Sequence, residues 1–313
     1  MQIPHHCSQV AFGLGIDLPC APVDDGSAST DSIGACVDAL LERHTDELRR
    51  MFVCWQPRDF GWLAGRDPLS TYDELFDRVA PHVSAQALHH GGLNLAALEP
   101  YDRTELVELA NALVHRHGFS WLNEDLALES IRGKPLPYPF SPYLTDYGLA
   151  AAIENTRRVK DHLLVPLLIE FPGFGDGATF FIGPIHAYDF FRMVAEKAEV
   201  GVTLDTSHLL SYEWLLGRRG DELFRELDLL PLRHCFEIRL SGCRVGEGSV
   251  CGTQHGTSTN EQIELLERLL ALCPNVHAVT YEESLFAKEG EPYEAIAQAA
   301  ARLCNVLSSR RGQ

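Results

Sequence analysis

The sequence lacks most of the short motifs that identify common enzyme classes. It has no P-loop, no GxSxG nucleophile elbow and no HExxH helix, which argues against P-loop ATPases, α/β-hydrolases and zincin proteases. Its 9 cysteines never form a CxxC pair, so neither a zinc ribbon nor a thioredoxin-type redox motif is present. We therefore expect most of the cysteines to be small buried hydrophobic residues in a reducing cytoplasm.

Basic residues and long apolar runs are also scarce. The 313-residue chain has 26 Lys and Arg against 44 Asp and Glu, a formal net charge of -18 at pH 7. This balance argues against broad electrostatic binding to nucleic acid or to an anionic membrane. No apolar run approaches the ~20 residues that span a bilayer. The composition, 45% hydrophobic and 22% charged, is that of a globular protein. We expect a cytoplasmic protein that binds neither nucleic acid nor membranes.

Short apolar runs alternate with amphipathic stretches along the chain. The apolar runs predict eight strands, over residues 10–18, 51–56, 85–95, 119–128, 163–173, 200–210, 234–243 and 276–284. Helical periodicity between them predicts eight helices, over residues 31–44, 71–83, 103–118, 145–163, 187–198, 220–230, 260–273 and 293–309. This alternation predicts an α/β fold of the (β/α)8 TIM-barrel type.

A doubly wound open sheet is the rival architecture. That fold typically carries a glycine-rich GxGxxG fingerprint after its first strand, which the GLGID of the first strand does not match. No repeat or linker divides the chain, so we expect one barrel domain over residues 1–313, with a short flexible N-terminus and a C-terminal tail. The proline-rich segment 134–146 is predicted to be a long βα loop over the top of the barrel.

Ionisable side chains are concentrated where the predicted strands end. In a barrel, the C-terminal strand ends and the loops after them form the active face. Strands three to eight deliver the following candidates to this face: His89, His90, Glu124, Asp125, Glu170, Asp205, His208, Glu237, Arg239, His255, Glu282 and Glu283. Converging carboxylates repel one another, and a divalent cation relieves that repulsion. Mixed carboxylate and imidazole ligands suit iron, manganese or zinc better than calcium or magnesium.

The ordered motifs at these strand ends resemble those of the multinuclear non-heme iron-dependent oxidases, the family that includes the methanobactin biosynthesis oxidase. HHGGLNLA resembles the third-strand motif of that family and selects His89 over His90. The later motifs EFP, LDTSH and YEES retain the acidic and histidine positions of the family pattern. These positions are Glu170, Asp205, His208 and Glu282.

Three positions depart from the family pattern. NEDLA places Asp125 where the family has histidine, and RLSG places Arg239 where a ligand histidine is usual. TQHG keeps His255 but has Thr253 in place of an aspartate. Asp125 can still bind a metal, whereas an arginine and a threonine are poor ligands. Arg239 is instead suited to bidentate hydrogen bonding with a substrate carboxylate, or to an internal ion pair with Glu237, which shares its strand face.

The resemblance implies a xylose-isomerase-like barrel that holds one to three iron ions, with two favoured, and uses O2 as co-substrate. It implies oxidation of a cysteine in a ribosomally made peptide, or of a related small thiol or amino-acid substrate, in a natural-product pathway. It leaves open a separate peptide-recognition protein, with which many members act. The expected catalytic residues are His255 and Arg239. The expected metal ligands are His89, Asp125, Glu170, Asp205, His208, Glu237, His255 and Glu282.

Two alternatives stay open at this stage. Xylose-isomerase-like sugar isomerases or epimerases, and the related abasic-site endonucleases, also converge carboxylates and histidines on divalent ions. The net charge argues against the endonuclease, and the strand ends carry no lysine that would support the isomerase. The second alternative is a non-catalytic barrel that acts as a binding partner, which the altered positions Arg239 and Thr253 favour.

Overall fold

Eight parallel strands close into a barrel in the computed structural model of the chain. The structure describes residues 10–18, 30–57, 69–100, 102–173, 183–245, 250–252 and 259–282. Its strands are β1 (Ala11–Leu18), β2 (Met51–Pro57), β3 (Ala85–His89), β4 (Leu122–Asp125), β5 (Leu128–Ile131), β6 (Lys134–Phe140), β7 (Leu167–Glu170), β8 (Gly201–Asp205), β9 (Cys235–Ser241), β10 (Cys243–Val245), β11 (Val250–Gly252) and β12 (Ala278–Glu282). The barrel order is β1-β12-β9-β8-β7-β4-β3-β2. This architecture confirms the predicted (β/α)8 fold.

Helices cover the outside of the barrel and bury its apolar surface. They are α1 (Thr30–Leu48), α2 (Asp73–Val79), α3 (Thr104–His117), α4 (Asp146–His162), α5 (Ala187–Ala198), α6 (Thr206–Leu215) and α7 (Asn260–Leu272). The barrel strands are buried on both faces, as expected when helices cover a parallel sheet. None of the helices in the described ranges is both long enough and apolar enough to cross a membrane.

The predicted sixth strand, residues 200–210, is too long. β8 ends at Asp205, and α6 begins at the next residue, because the side chain of Asp205 caps the helix by accepting the backbone N–H groups of Ser207 and His208. His208 therefore lies in the first turn of a helix and not in a strand. The apolar run continues past Asp205, but the capping carboxylate ends the strand there and starts the helix.

Two other predicted elements differ from the structure. The predicted helix over residues 220–230 is wrong, because this segment forms only short 3-10 turns at Gly220–Glu222 and Leu227–Leu229. Phe224, inside the segment, has a φ of 60°, which a continuous right-handed α-helix does not accommodate. The segment predicted as a long loop over residues 134–146 instead contains β6, which pairs antiparallel with β5 as a hairpin. The predicted helix over residues 293–309 lies outside the described residues.

Candidate metal centre

Most of the predicted site residues in the described part of the chain lie where barrel strands end. Five of them are the last residues of five barrel strands: His89, Asp125, Glu170, Asp205 and Glu282. Because the strands are parallel, these ends meet at the same rim. His255, predicted both as a ligand and as a catalytic residue, lies outside the described residues, as does Thr253.

Two sets of three side chains place their ligand atoms close enough to share an ion. In each set, the carboxylate oxygens and imidazole nitrogens lie within 4.8 Å of one another. The first set, which we call the histidine-89 set, consists of His89, Asp125 and Glu170. The second, the histidine-208 set, consists of Glu170, Asp205 and His208. Glu170 belongs to both sets, so it is the point at which they meet.

Unsatisfied buried oxygens in the histidine-89 and histidine-208 sets fit a bound cation. Oδ1 of Asp125 and Oε2 of Glu170 are buried and accept no hydrogen bond of good geometry; their nearest cationic or donor groups are Nε2 of His89 at 3.7 Å and Nη1 of Arg239 at 3.3 Å. A buried carboxylate oxygen without a donor costs free energy that a metal ion would recover. The donors are carboxylate oxygens and imidazole nitrogens, which suit iron, manganese or zinc. The donor types of the histidine-208 set therefore fit a transition-metal ion.

The electrostatics of Glu170 point the same way. Burial raises the pKa of the Glu170 carboxyl well above its usual range; the charge of Arg239 opposes this rise, while the negative charges of Asp125, Asp205 and Glu282 add to it. Among the described residues, Glu170 thus has three acidic neighbours and a single guanidinium, that of Arg239. A divalent cation would favour the ionised form of Glu170 and offset the repulsion.

Asp205 is held by hydrogen bonds that all reach one of its oxygens. Oδ1 accepts the backbone N–H of Ser207 at 2.7 Å, the Ser207 hydroxyl at 2.6 Å and the backbone N–H of His208 at 3.0 Å. The hydroxyl of Ser241 donates to the same atom at 2.8 Å. Within the described residues no hydrogen bond reaches Oδ2. Asp205 can thus present Oδ2 to an ion while Oδ1 fixes the orientation of the carboxylate.

His208 shows the hydrogen bonding that is typical of a metal-ligating histidine. Its Nδ1 lies 2.8 Å from the carbonyl oxygen of Phe171, which can only accept, so Nδ1 carries the proton. The lone pair of the neutral ring is then on Nε2. The space beside Nε2 is kept open by Gly173, since a Cβ at that position would lie 3.2 Å from Nε2. Nδ1 also lies 3.6 Å from Oε1 of Glu170, so Nε2 is the atom of His208 that would be available to an ion.

Arg239 lies at the base of the site and is completely buried. Its Nη1 lies 2.7 Å from Nδ1 of His89, and its Nε lies 3.1 Å from Oε1 of Glu237. Nη1 also lies 3.3 Å from Glu170 and 3.4 Å from Glu282. The predicted ion pair with Glu237 is present. The guanidinium is already surrounded by protein carboxylates, so the geometry gives no support to its binding a substrate carboxylate.

Glu237 lies inside the barrel and outside both metal-ligand sets. Its Oε2 accepts the indole N–H of Trp121 and the side-chain amide of Asn123, each at 2.9 Å. Its Oε1 accepts the Thr280 hydroxyl at 2.6 Å, in addition to the Arg239 contact. Four donors therefore use both oxygens of Glu237. The geometry favours a structural role in orienting Arg239, and the assignment of Glu237 as a ligand receives no support from it.

The loop after β3 orients His89 at the rim. Oε1 of Glu124 accepts the backbone N–H of Gly92 at 3.0 Å and that of Leu93 at 2.7 Å. Gly92 has a φ of 118°, a conformation that glycine adopts without strain. Burial and the charge of Arg239 lower the pKa of His89, which keeps its imidazole neutral. His90 is completely buried, 3.5 Å from Oε2 of Glu124, and belongs to neither ligand set, whereas His89 belongs to one.

Several residues that support the site were missed in the sequence. Ser241 holds Asp205, and the thiol of Cys54 lies 3.2 Å from Nη2 of Arg239. Ser207 carried a usable signal, because an Asp followed two residues later by Ser is typical of a capped helix start. Cys54 carried none, since its contact is with a residue 185 positions away in the chain.

The family model described as RiPP precursor modification enzyme MbnB/TglH/ChrH matches residues 69–291. These residues include all of the histidine-89 and histidine-208 sets. No curated protein matches the sequence at a significant level.

Solved structures similar to the chain are xylose-isomerase-like barrels. A D-psicose 3-epimerase from Clostridium cellulolyticum H10, solved with D-tagatose, has a TM-score of 0.53 at 10% identity, over 95% of this chain and 99% of that one. A xylose isomerase domain protein from Alicyclobacillus acidocaldarius subsp. acidocaldarius has a TM-score of 0.54 at 15% identity, again over 95% and 99%. At these identities the likeness shows the fold alone.

Proposed function

Because the chain belongs to the MbnB/TglH/ChrH family of RiPP precursor modification enzymes, we propose that it is an iron-dependent oxidase that uses O2. Its proposed substrate is a cysteine of a ribosomally made peptide, or a related small thiol or amino acid of a natural-product pathway. The observation that carries the proposal is the histidine-208 set, in which Glu170, Asp205 and His208 bring ligand atoms within 4.8 Å of one another where the barrel strands end. The family supports the proposed class of substrate, and the ligand set supports this rim as the place of the chemistry.

Iron bound at these residues would supply the activation of O2 and the oxidation of the substrate. The residues of the chain hold and shield that site. Asp205 is fixed by four hydrogen bonds to Oδ1, and His208 is fixed by the carbonyl oxygen of Phe171. Glu170 and Asp205 are buried, which strengthens the electrostatic interactions of these two carboxylates.

The alternatives are less well supported. The sugar epimerase shares the fold with this chain, but at 10% identity that likeness says nothing about chemistry. The non-catalytic barrel is disfavoured because the histidine-208 set retains all three ligands, with two of them held in a binding orientation. A separate peptide-recognition protein, a cytoplasmic location and the absence of nucleic-acid binding remain predictions.

The test is a substrate assay on protein purified without oxygen and without an affinity tag, then loaded with ferrous iron. Cysteine-containing peptides are paired with versions in which serine replaces the cysteine. We expect O2 consumption and a change in peptide mass with the cysteine peptides only. Asp205→Asn should abolish both, whereas His162→Ala, an exposed histidine on α4, should not.

Other results would overturn the proposal. Interconversion of ketohexoses with manganese, without O2 consumption, would identify a sugar epimerase. Protein that binds no iron, manganese or zinc under these conditions would identify a non-catalytic barrel.

A further inference from the structure

Arg239 contacts Nδ1 of His89. When a histidine binds a metal through Nε2, its Nδ1–H normally donates to an acceptor. Nη1 of Arg239 lies 2.7 Å from Nδ1 of His89. A guanidinium has only donors and stays charged in proteins, so Nδ1 must be the acceptor. In a neutral imidazole the proton is then on Nε2, which is the atom that faces Oδ1 of Asp125 at 3.7 Å. His89 therefore directs an N–H toward Asp125 and has no lone pair there for an ion.

His208 has the opposite arrangement. Its Nδ1 donates to a carbonyl oxygen, and its lone pair is available on Nε2. The two histidines thus differ in tautomer, because one meets a donor and the other meets an acceptor. The histidine-208 set is prepared for a metal ion, and the histidine-89 set is not.

Nη1 of Arg239 occupies a position that a cation could hold. Three atoms of the ligand type surround it: Nδ1 of His89 at 2.7 Å, Oε2 of Glu170 at 3.3 Å and Oε1 of Glu282 at 3.4 Å. The guanidinium has no exposed surface, so solvent does not weaken these interactions. Arg239 is a residue of β9, so its positive charge is held permanently among these carboxylates.

We infer that Arg239 replaces a second metal ion, so that the chain binds one ion, at Glu170, Asp205 and His208, and none at His89 and Asp125. This inference rests on the proposed function, because it takes metal binding as given. It narrows the proposal to chemistry at a single ion. It also assigns His89 a different role, as the link in a hydrogen-bonded series from Arg239 toward Asp125.

Metal counting tests the inference independently of any substrate. Untagged protein is loaded anaerobically with ferrous iron, passed through a desalting column and analysed by mass spectrometry for metal content per chain. We expect about one equivalent for the wild type and for His89→Ala. We expect at least a fivefold loss in His208→Ala and Asp205→Asn. Glu170 variants are not informative here, since Glu170 belongs to both sets.

A second readout distinguishes one ion from two without mutation. Protein loaded with Mn²⁺ should give the electron paramagnetic resonance signal of an isolated ion, with no exchange coupling between neighbouring ions. Arg239→His should raise the metal content to about two equivalents and introduce such coupling. Circular dichroism checks that this variant is folded; if it is not, the contrast between His89→Ala and His208→Ala decides the question.

The outcomes separate the inference from the proposed function. Two equivalents in the wild type, one of them lost in His89→Ala, would overturn the inference and leave the proposed oxidase in place. One equivalent that is lost in His89→Ala and kept in His208→Ala would overturn it as well. A folded Arg239→His variant that still binds one ion would show that Arg239 does not replace a metal. No metal in the wild type would overturn the proposed function itself.

Discussion

The hydroxyl oxygen of Ser241 lies 2.8 Å from Oδ1 of Asp205 and 2.7 Å from the hydroxyl oxygen of Ser207. Ser241 ends β9 and Asp205 ends β8, so this contact links the rims of two neighbouring strands. Both serines direct their oxygens at the same carboxylate atom. The orientation of a proposed metal ligand thus depends on a residue that binds no metal itself.

Ser241→Ala should weaken metal binding while the protein stays folded. Loss of one hydrogen bond to the outer oxygen of a ligand typically costs about 10–100-fold in metal affinity. The measurement is a calorimetric titration of metal-free protein with Mn²⁺. Ser84→Ala is the matched control, because that hydroxyl donates to the carbonyl of Met51 at 2.8 Å, in the turn before β3. Equal affinities in the Ser241 variant and the wild type would contradict the prediction.

Gly173→Ala should also weaken metal binding, by steric exclusion. A Cβ at this position would lie 3.2 Å from Nε2 and 3.3 Å from Cδ2 of His208, where we expect the ion to approach. The methyl group would shift the ring by a few tenths of an ångström or cover the lone pair. We expect at least a tenfold rise in the dissociation constant for Mn²⁺, with the free energy of unfolding of the metal-free protein nearly unchanged. An unaltered dissociation constant would show that the ion approaches His208 from another side.

The sequence was enough to predict which residues lie at the rim, because the C-terminal ends of all strands in a parallel barrel meet on one side. Once eight strands alternate with helices, His89, Asp125, Glu170, Asp205 and Glu282 must meet at one rim, whatever their separation in the chain. The family match spans the described strand ends from His89 to Glu282. The prediction was less accurate at residues 206–210. The apolar pair Leu209 and Leu210 favoured a longer strand, but these residues form the first half of the capped helix α6.

The partners of Arg239 were beyond the reach of sequence reasoning. Arg239 and Glu237 are two residues apart in a strand, so the sequence alone places them on the same face. The contacts of Arg239 with His89 and Cys54 span 150 and 185 positions in the chain, and they depend on rotamers within a closed barrel. The prediction that Arg239 binds a substrate carboxylate assumed that its guanidinium had no protein partner. The structure shows a guanidinium already engaged by protein acceptors.

Glu124 should make the stability of the metal-free protein depend on pH. Burial, with a smaller contribution from the charge of Asp125, raises the pKa of Glu124 from 4.5 to about 8. Between these values the folded state keeps a proton that the unfolded state releases. The free energy of unfolding should therefore fall as the pH rises through this window, by at most about 1.4 kcal/mol per pH unit from this group.

Glu124→Gln tests this dependence, because glutamine stays neutral and its carbonyl oxygen can still accept the N–H groups of Gly92 and Leu93. Urea unfolding of metal-free protein at several pH values should show the variant gaining stability relative to the wild type from about pH 5 to pH 8. Glu108→Gln, on the exposed face of α3, should show no such gain. A difference between variant and wild type that is constant with pH would contradict the raised pKa.

Trp121→Phe should destabilise the protein through Glu237. The indole N–H of Trp121 donates to Oε2 of Glu237 at 2.9 Å inside the barrel, and phenylalanine keeps an aromatic ring there without the donor. A buried carboxylate that loses one donor costs about 1–3 kcal/mol in the free energy of unfolding. Trp214→Phe is the control, because the buried indole nitrogen of Trp214 has no hydrogen-bond partner among the described residues, and phenylalanine keeps an aromatic face for Arg219, which lies 3.7 Å from the Trp214 ring.

Urea unfolding of the Trp121→Phe and Trp214→Phe variants separates the lost hydrogen bond from the lost ring area, since both changes remove the same atoms. We expect the cost at Trp121 to exceed the cost at Trp214 by about 1–3 kcal/mol. Arg239 would then also lose part of its orientation, because Oε1 of the same Glu237 side chain accepts its Nε–H at 3.1 Å. Equal costs in the two variants would mean that the remaining donors, Asn123 and Thr280, hold Glu237 without help from the indole.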